Sequence, residues 1–383
     1  MLDFTTVISG PICTQALGDL GADVIKLEPP TGDPARLSGA PFREPGYSGF
    51  LAQFNRNKRS VVLDLRNERA QAAALRLADA ADVMLENFRP GVAERLGIGH
   101  ASLRARNPAL VTVSINGFGS DGPYATLPAY DHVIQGLTGL MPTQGGEGPP
   151  RLVQGGVADK ATGMTALSAI LAALFARERG AGGQHIEVPM LDAYAAFALP
   201  ESMMARSFPP LESSDPGLNE IFRTWQTADG HVVGLVIQDE QFRALCRAIG
   251  RDDLADDERF ATTTLRFANF RVLAPLLAEE IHKLPTDTFL AHARELGAPF
   301  GPANDVDDFL SDPQVTHNQI VVPLEDARFG TTRYLRHPVR YEKTPASFRR
   351  HAPRRGEHTD EVLREVGYRD EELAALRRDG AIG

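Results

Sequence analysis

Along the first third of the chain, short apolar runs alternate with segments whose apolar residues recur every three or four positions. The runs "LDFTTV", "ADVIKLE", "RSVVLDL", "DVMLENF" and "ALVTVSINGF" read as strands. "GPICTQALGDLG" and "ERAQAAALRLADA" read as helices between them. Alternation at this spacing implies βαβ units, hence a parallel sheet covered by helices on both faces. Ligands of such sheets bind at the carboxyl ends of the strands. A further helix is expected over Thr162–Arg177, with Met164, Leu167, Leu171, Leu174 and Phe175 on one face. Arg177 and Arg179 sit in its last turn, and Gly180, Gly182 and Gly183 end it.

From about Ile221 the pattern changes. "IFRTWQTADGHVVGLVIQ" has the form of a hairpin turning at Asp229-Gly230, and helices are expected around Gln241–Ile249, Arg271–Lys283 and Thr286–Leu296. This reads as a second, smaller α+β domain, joined through the Pro- and Ser-rich "SFPPLESSDPGLN". The tail ends in a short helix, "GEHTDEVLREVG". No repeat of 20–50 residues is apparent.

Composition narrows the partners. The 383 residues are 43% hydrophobic and 23% charged, ordinary for a globular protein, and the formal net charge is -10. That balance speaks against a nucleic-acid or anionic-membrane partner, so an anionic ligand needs a local basic site. Cys13 and Cys246 stand far apart, which fits a reducing compartment. No basic-then-apolar leader is visible in "MLDFTTV", and the longest apolar run, Ala166–Ala176, is short for a bilayer span. A cytoplasmic protein is expected.

Several common sites are excluded. The ten histidines form no HxxxH or HExxH spacing, so no metal site is expected. "FGSDG" has Phe118 where a GxSxG elbow needs glycine. "ISGPIC" lacks the GxGxxG dinucleotide fingerprint, and Pro11 removes an N–H that a pyrophosphate would use.

Asp159 stands where a glycine-containing loop turns into the long apolar segment. Asp is a preferred N-cap, and on the residues alone capping is the favoured role. The alternative is a carboxylate kept ionised by the helix terminus and used as a nucleophile toward an activated acyl carbon. A basic constellation comprises Lys58 and Arg59 before one strand, Arg66 after it, and Arg89 and Arg95 after another. Parallel-sheet geometry would gather Arg66 and Arg89 at one edge, suited to phosphates, against the alternative of scattered surface charge.

These segments carry a resemblance. "LDFTTVISGPICTQALGDLGADVIKLEPPTGDPAR", "NRNKRSVVLDL", "ADVMLENFRPGVAERLG", "NPALVTVSINGFGSDGPY" and "ADKATGMTALSAILAALFARERGAGGQHIEV" resemble the family III coenzyme A transferases. That group includes formyl-CoA transferase, carnitine CoA-transferase and α-methylacyl-CoA racemase. The similarity runs in order to about residue 195 and returns in "GAPFGPANDVDDFLSDPQ" and "GEHTDEVLREVGYRDEELAAL".

The resemblance implies an α/β fold: a large Rossmann-like domain formed by both chain ends (1–200 and 346–383) and a small α+β domain (221–308). The linkers would be 201–220 and 309–345. It implies an interlocked-ring homodimer. It also implies CoA transfer from an acyl-CoA to a small carboxylic acid, through an aspartyl-acyl anhydride and an aspartyl-CoA thioester, with Asp159 as nucleophile. Val7, Ile8, Leu63, Arg66, Asn87, Phe88, Arg89, Arg95 and Tyr130 match positions at the CoA site. The alternative within the group is an acyl-CoA racemase or epimerase acting by α-proton abstraction. There a His precedes the Asp of the "xYD" step, whereas "PAYDHV" has Tyr130 in that slot and His132 two places on. Formyl-CoA transferase has Gln where Ile8 stands and basic residues where Pro29 and Pro128 stand. Its glycine-rich active-site loop is missing from "PPLESSDPGLN". The chain also starts about nine residues later than is usual in the family.

Overall fold

Six strands hydrogen-bond into one parallel sheet in the computed structural model, which describes residues 1–146, 148–209 and 221–383. They are β1 (Leu2–Asp3), β2 (Val24–Glu28), β3 (Lys58–Val62), β4 (Val83–Glu86), β5 (Val111–Asn116) and β6 (His185–Pro189). Their spatial order is β3-β2-β1-β4-β5-β6, and every neighbouring pair is parallel. The strand order reverses between β1 and β4, and the crevice beyond their carboxyl ends is where this architecture binds ligands.

Side chains alternate between two cores. In β4, Val83 and Leu85 join Cys13, Leu17, Val111, Val113 and Ile170 on one face, whereas Met84 joins Leu27, Val61, Ala74 and Leu77 on the other. That period-two division explains why the parallel strands read as continuous apolar runs. Helix α1 (Ser9–Asp19) lies on the first face; α2 (Glu68–Asp79) lies on the second, started by Asn67, whose side chain accepts from Arg69 N.

The chain's tail completes the second face. Val362, Leu363, Leu373 and Leu376 pack into that core, and Leu63 bridges Ile382. By contacts the chain divides into two units, Met1–Ala198 with Ile320–Gly383, and Leu199–Gln319. The second has a three-stranded antiparallel sheet in the order Phe300–Pro302, His231–Gly234, Thr224–Gln226. Its helices Asp239–Ala248, Phe270–Lys283 and Thr286–Leu296 close over Trp225, Phe242, Leu277 and Phe289. The loop position sought in "PPLESSDPGLN" falls, from residue 210 onward, outside the described residues.

Two further helices complete the site. They are α3 (Asp131–Leu137) and α4 (Val157–Ala176). Helix α4 starts five residues before the expected Thr162, and its buried face is not the large-residue stripe expected. Met164, Leu171 and Phe175 are exposed, whereas Thr162, Gly163, Ala166, Leu167 and Ala173 are buried. The reason is its close approach to α1: a Cβ on Gly163 would lie 2.4 Å from the Ser9 carbonyl oxygen and 2.3 Å from Ile12 Cγ2. By length and composition Val157–Ala181 could cross a bilayer, which the shorter run Ala166–Ala176 did not suggest. It nonetheless packs one face against α1 and the sheet, as a core helix does.

Candidate active site

The crevice is lined first by the residues that follow β1. Val7 has φ +69°, a left-handed conformation unusual for a β-branched residue. What holds it there is a dry ionic network beneath the loop. Val7 N–H donates to Asp33 Oδ1 at 3.3 Å. Asp33 pairs with fully buried Lys26 at 2.7 Å, and Lys26 Nζ donates to the Thr5 carbonyl at 2.7 Å. Asp3 accepts from Thr5 N–H (2.9 Å), Thr14 Oγ1 (2.7 Å) and Lys58 Nζ (3.0 Å). Burial works to raise the Asp3 pKa, but Lys58, Lys26 and the two threonine hydroxyls together hold it below the usual carboxylate range. Removing one partner of such a buried pair typically costs about 3–5 kcal/mol.

Lys58 is therefore a structural cation. Arg59 is too: it is buried and pairs with Asp23, Glu361 and Glu365. Neither is free to meet a phosphate.

The opposite wall is the loop after β4. Asn87 ties the two walls together, its Oδ1 accepting from Thr6 N–H at 3.0 Å and its Nδ2 donating to Thr6 O at 2.9 Å. Phe88 N–H donates to Glu86 Oε2 at 2.5 Å. Phe88 and exposed Arg89 border a cleft of about 270 Å³, which continues along Ser114, Asn116, His185 and Glu187. In this cleft burial pushes the Glu86 carboxyl up to about 7. His100 and His185 stack there, ring centroids 3.9 Å apart.

The third wall is the start of α4. Gly155 (φ +95°) and Gly156 (φ +67°) turn the chain into the helix, which a residue with a Cβ would do only under strain. Around Gly156 three side chains converge. A Cβ there would lie 3.1 Å from Ile8 Cδ1, 3.9 Å from Asp131 Oδ2 and 4.0 Å from Asp159 Oδ2.

Asp159 is thus not the N-cap. It is the third residue of the helix, and its own N–H donates to Asp131 Oδ2 at 3.0 Å. The other Asp131 oxygen accepts from Gln135 Nε2 at 2.6 Å. Nor does the terminus keep Asp159 at an ordinary acidity. Burial and the Asp131 charge push its carboxyl up to about 6, while the Ser9 hydroxyl and His132 act the other way. Above that pH it is an ionised, partly desolvated carboxylate in a ligand crevice, and this is the arrangement a carboxylate nucleophile needs.

The structure brings Val7, Ile8, Asn87, Phe88 and Arg89 to the strand-order reversal. It separates others. Leu63 has its side chain in the core, and Arg66, 81% exposed, forms a bidentate pair with Asp64 (2.8 and 2.7 Å). β2 and β1 intervene between the strands that carry Arg66 and Arg89, roughly 14 Å across the sheet. Arg95 ends the short helix Val92–Arg95, and Tyr130, 69% exposed, directly precedes α3. Sequence reasoning passed over Asp131. Asp131 stood beside Tyr130 in the quoted "PAYDHV", so the signal was a second acid in the same motif.

A parallel sheet ordered this way, with a half-buried carboxylate beside its strand-order reversal, defines an α/β protein with a ligand crevice at that point. The chain belongs to the family III CoA-transferases: it matches the family described as CoA-transferase family III over residues 1–359. It is 35% identical to the succinate–glutarate CoA-transferase of Agrobacterium fabrum, over 96% of this chain and 94% of that one. The human succinyl-CoA:glutarate CoA-transferase is 32% identical, over 100% and 88%. A crystal structure of a CAIB/BAIF family protein from Brucella suis superposes with a TM-score of 0.80 at 33% identity, covering 95% of this chain and 97% of that one. The protein is accordingly an enzyme, with acyl-CoA as co-substrate. Among the described residues no group of three or more His, Cys, Asp or Glu is arranged to hold a metal ion.

Proposed function

We propose that the protein transfers CoA from an acyl-CoA to a carboxylic acid with Asp159 as the covalent nucleophile. The observation that carries this is the half-buried Asp159 carboxylate in the crevice between the β1 and β4 loops, on a residue whose main-chain N–H is held by Asp131. An Asp159 oxygen attacks the thioester carbon; the C–S bond breaks, leaving a mixed anhydride and the CoA thiolate. The thiolate attacks the Asp159 acyl carbon and expels the donor acid, giving an aspartyl-CoA thioester. The acceptor carboxylate attacks that thioester, and the released thiolate takes the acceptor's acyl group, restoring Asp159. No net proton transfer is needed, so no general base is required.

Val7, Ile8, Asn87, Phe88 and Arg89 line the CoA path in this reading, with Leu63, Arg66, Arg95 and Tyr130 at its margins. The two acids are short dicarboxylates, a choice supported by the names of the succinate–glutarate relatives. The functional unit is an interlocked homodimer. The large domain comes from 1–200 and 346–383, the small domain from 221–308, and the linkers are 201–220 and 309–345. The exposed Met164, Leu171 and Phe175 on α4 support a partner surface. The unpaired buried Cys13 and Cys246 support a cytoplasmic setting.

The experiment is a panel of succinyl-, acetyl- and propionyl-CoA against dicarboxylates, read by mass spectrometry, with hydroxylamine added to trap Asp159. Asp159→Ala should reduce transfer by orders of magnitude and leave CoA binding nearly intact. An Asp159→Ala enzyme that still transfers normally would end the proposal. Deuterium uptake at the α-carbon of a 2-methylacyl-CoA in D₂O, at turnover rates, would favour a racemase instead.

A further inference from the structure

Glu86 ends β4 two residues after Met84, so the two share a face of the sheet, and Glu86 is only 6% exposed. The buried acids Asp3, Glu28 and Asp33 each pair with a buried Lys or Arg. Glu86 has no such cation among the described residues, and the charge of Glu94 disfavours its ionisation. Keeping an uncompensated carboxyl out of water costs stability, so its presence marks a local use.

That use is visible in the backbone after the strand. Phe88 N–H donates to Glu86 Oε2 at 2.5 Å, closing a turn two residues long. Asn87, between them, exchanges bonds with the Thr6 N–H and carbonyl at 3.0 and 2.9 Å. Phe88 itself packs against the core that holds Met84, Ala93 and Ile98. Gly91 (φ +78°) then leads into the short helix Val92–Arg95. Arg89 stands exposed between these anchors, at the border of the cleft that Glu86 also lines. Without the Glu86 oxygen the Phe88 N–H would lose its acceptor, and the loop would have to turn that donor toward water.

We infer that Glu86 is a positioning residue of the loop after β4: its side-chain oxygen fixes the Phe88 backbone and thereby presents Phe88 and Arg89 to CoA. The inference rests on that loop lining the CoA path. Ionised or protonated, the carboxyl keeps an acceptor oxygen for the N–H, so the loop needs the oxygen rather than the charge. Glutamine can therefore stand in for it, whereas an apolar side chain of similar size cannot.

The test compares Glu86→Gln and Glu86→Met in the full-length enzyme. CoA binding is measured by calorimetry, and kcat and KM with the fastest acyl-CoA of the panel above. Glu86→Met should weaken CoA binding and raise the KM roughly ten-fold, the scale of one hydrogen bond to a charged group, with kcat within about two-fold. Glu86→Gln should stay within about two-fold of wild type in all three. Glu86→Ala carries the same expectation as the methionine variant, so a packing defect in one does not decide the outcome. A loss confined to thermal stability, with CoA affinity unchanged in the methionine and alanine variants, overturns the inference. So does a glutamine variant as weak as methionine, because the retained acceptor would then be irrelevant. Arg89→Ala run in parallel separates the two ideas. If it weakens CoA binding while the Glu86 variants do not, positioning by Glu86 fails alone; if it leaves CoA binding unchanged, the reading of the loop as a CoA contact fails.

Discussion

The Asp159 main-chain N–H donates to the Asp131 carboxylate at 3.0 Å, so one acid anchors the backbone of the other while its charge opposes the other's ionisation. This pairing fixes where the Asp159 side chain begins and also raises its pKa. Replacing Asp131 by Asn keeps an oxygen acceptor for the N–H and removes the charge. Asp131→Asn should therefore move the acid limb of kcat/KM to lower pH, by roughly half to one unit. A pH–rate profile checks this; a limb that stays near pH 6 would show that burial alone sets the acidity of Asp159.

Asp159 should also destabilise the fold it serves. Its pKa rises from 3.8 unfolded to about 6 folded. Between those values the native state holds more protons than the unfolded one, so stability falls as pH rises through that window and stays reduced above it. Asp159→Asn removes the penalty. The variant should gain about 1–2 kcal/mol at pH 8, with little gain at pH 4, a figure discounted because the carboxyl is only half-buried. Denaturant melts at the two pH values measure it, and an equal gain at both would point to a cause other than ionisation.

Arg66 and Arg89, equivalent in the sequence, should differ in binding. Arg89 borders the cleft beside Phe88, whereas Arg66 is already paired with Asp64 and lies three strand positions across the sheet. Arg89→Ala should weaken CoA binding roughly ten- to hundred-fold by calorimetry. Arg66→Ala should weaken it less than about three-fold, because an exposed pair contributes little. Comparable losses in both variants would contradict this assignment.

Gly163 and Gly136 give opposite expectations for the same substitution. Gly163→Ala would place a Cβ against the Ser9 carbonyl and force α1 and α4 apart, costing about 1–3 kcal/mol and lowering activity. On α3, a Cβ at Gly136 meets nothing nearer than Met141 Sδ at 3.8 Å. Gly136→Ala should be neutral or stabilise by up to about 1 kcal/mol. Thermal melts of the two variants decide it, and a Gly163→Ala protein as stable as wild type would mean the two helices can separate without cost.

Much of the large unit was legible along the chain. Apolar runs at βαβ spacing announced β2 to β5, because strands buried on both faces must be continuously apolar. β1 was overextended to Val7, since nothing local signals that Thr5–Val7 bend to meet Asp33 and Asn87. β6 went unread: "HIEVP" is short and half-exposed, and only β5 beside it makes it a strand. The stripe expected on α4 failed because large residues cannot lie where two helix backbones nearly touch.

Periodicity records which face a segment buries, and the order of segments along the chain is enough to place Asp159 and the residues after β1 and β4 at one end of the sheet. The sequence by itself thus determined the parallel α/β class, the family resemblance and the carboxylate to examine. What each charge does was decided only in three dimensions. Lys58 meets Asp3 across 55 residues, and Asp159 meets Asp131 across 28. A charge's state depends on the desolvation and partners supplied by other elements, and those long-range neighbours leave no local pattern in the chain.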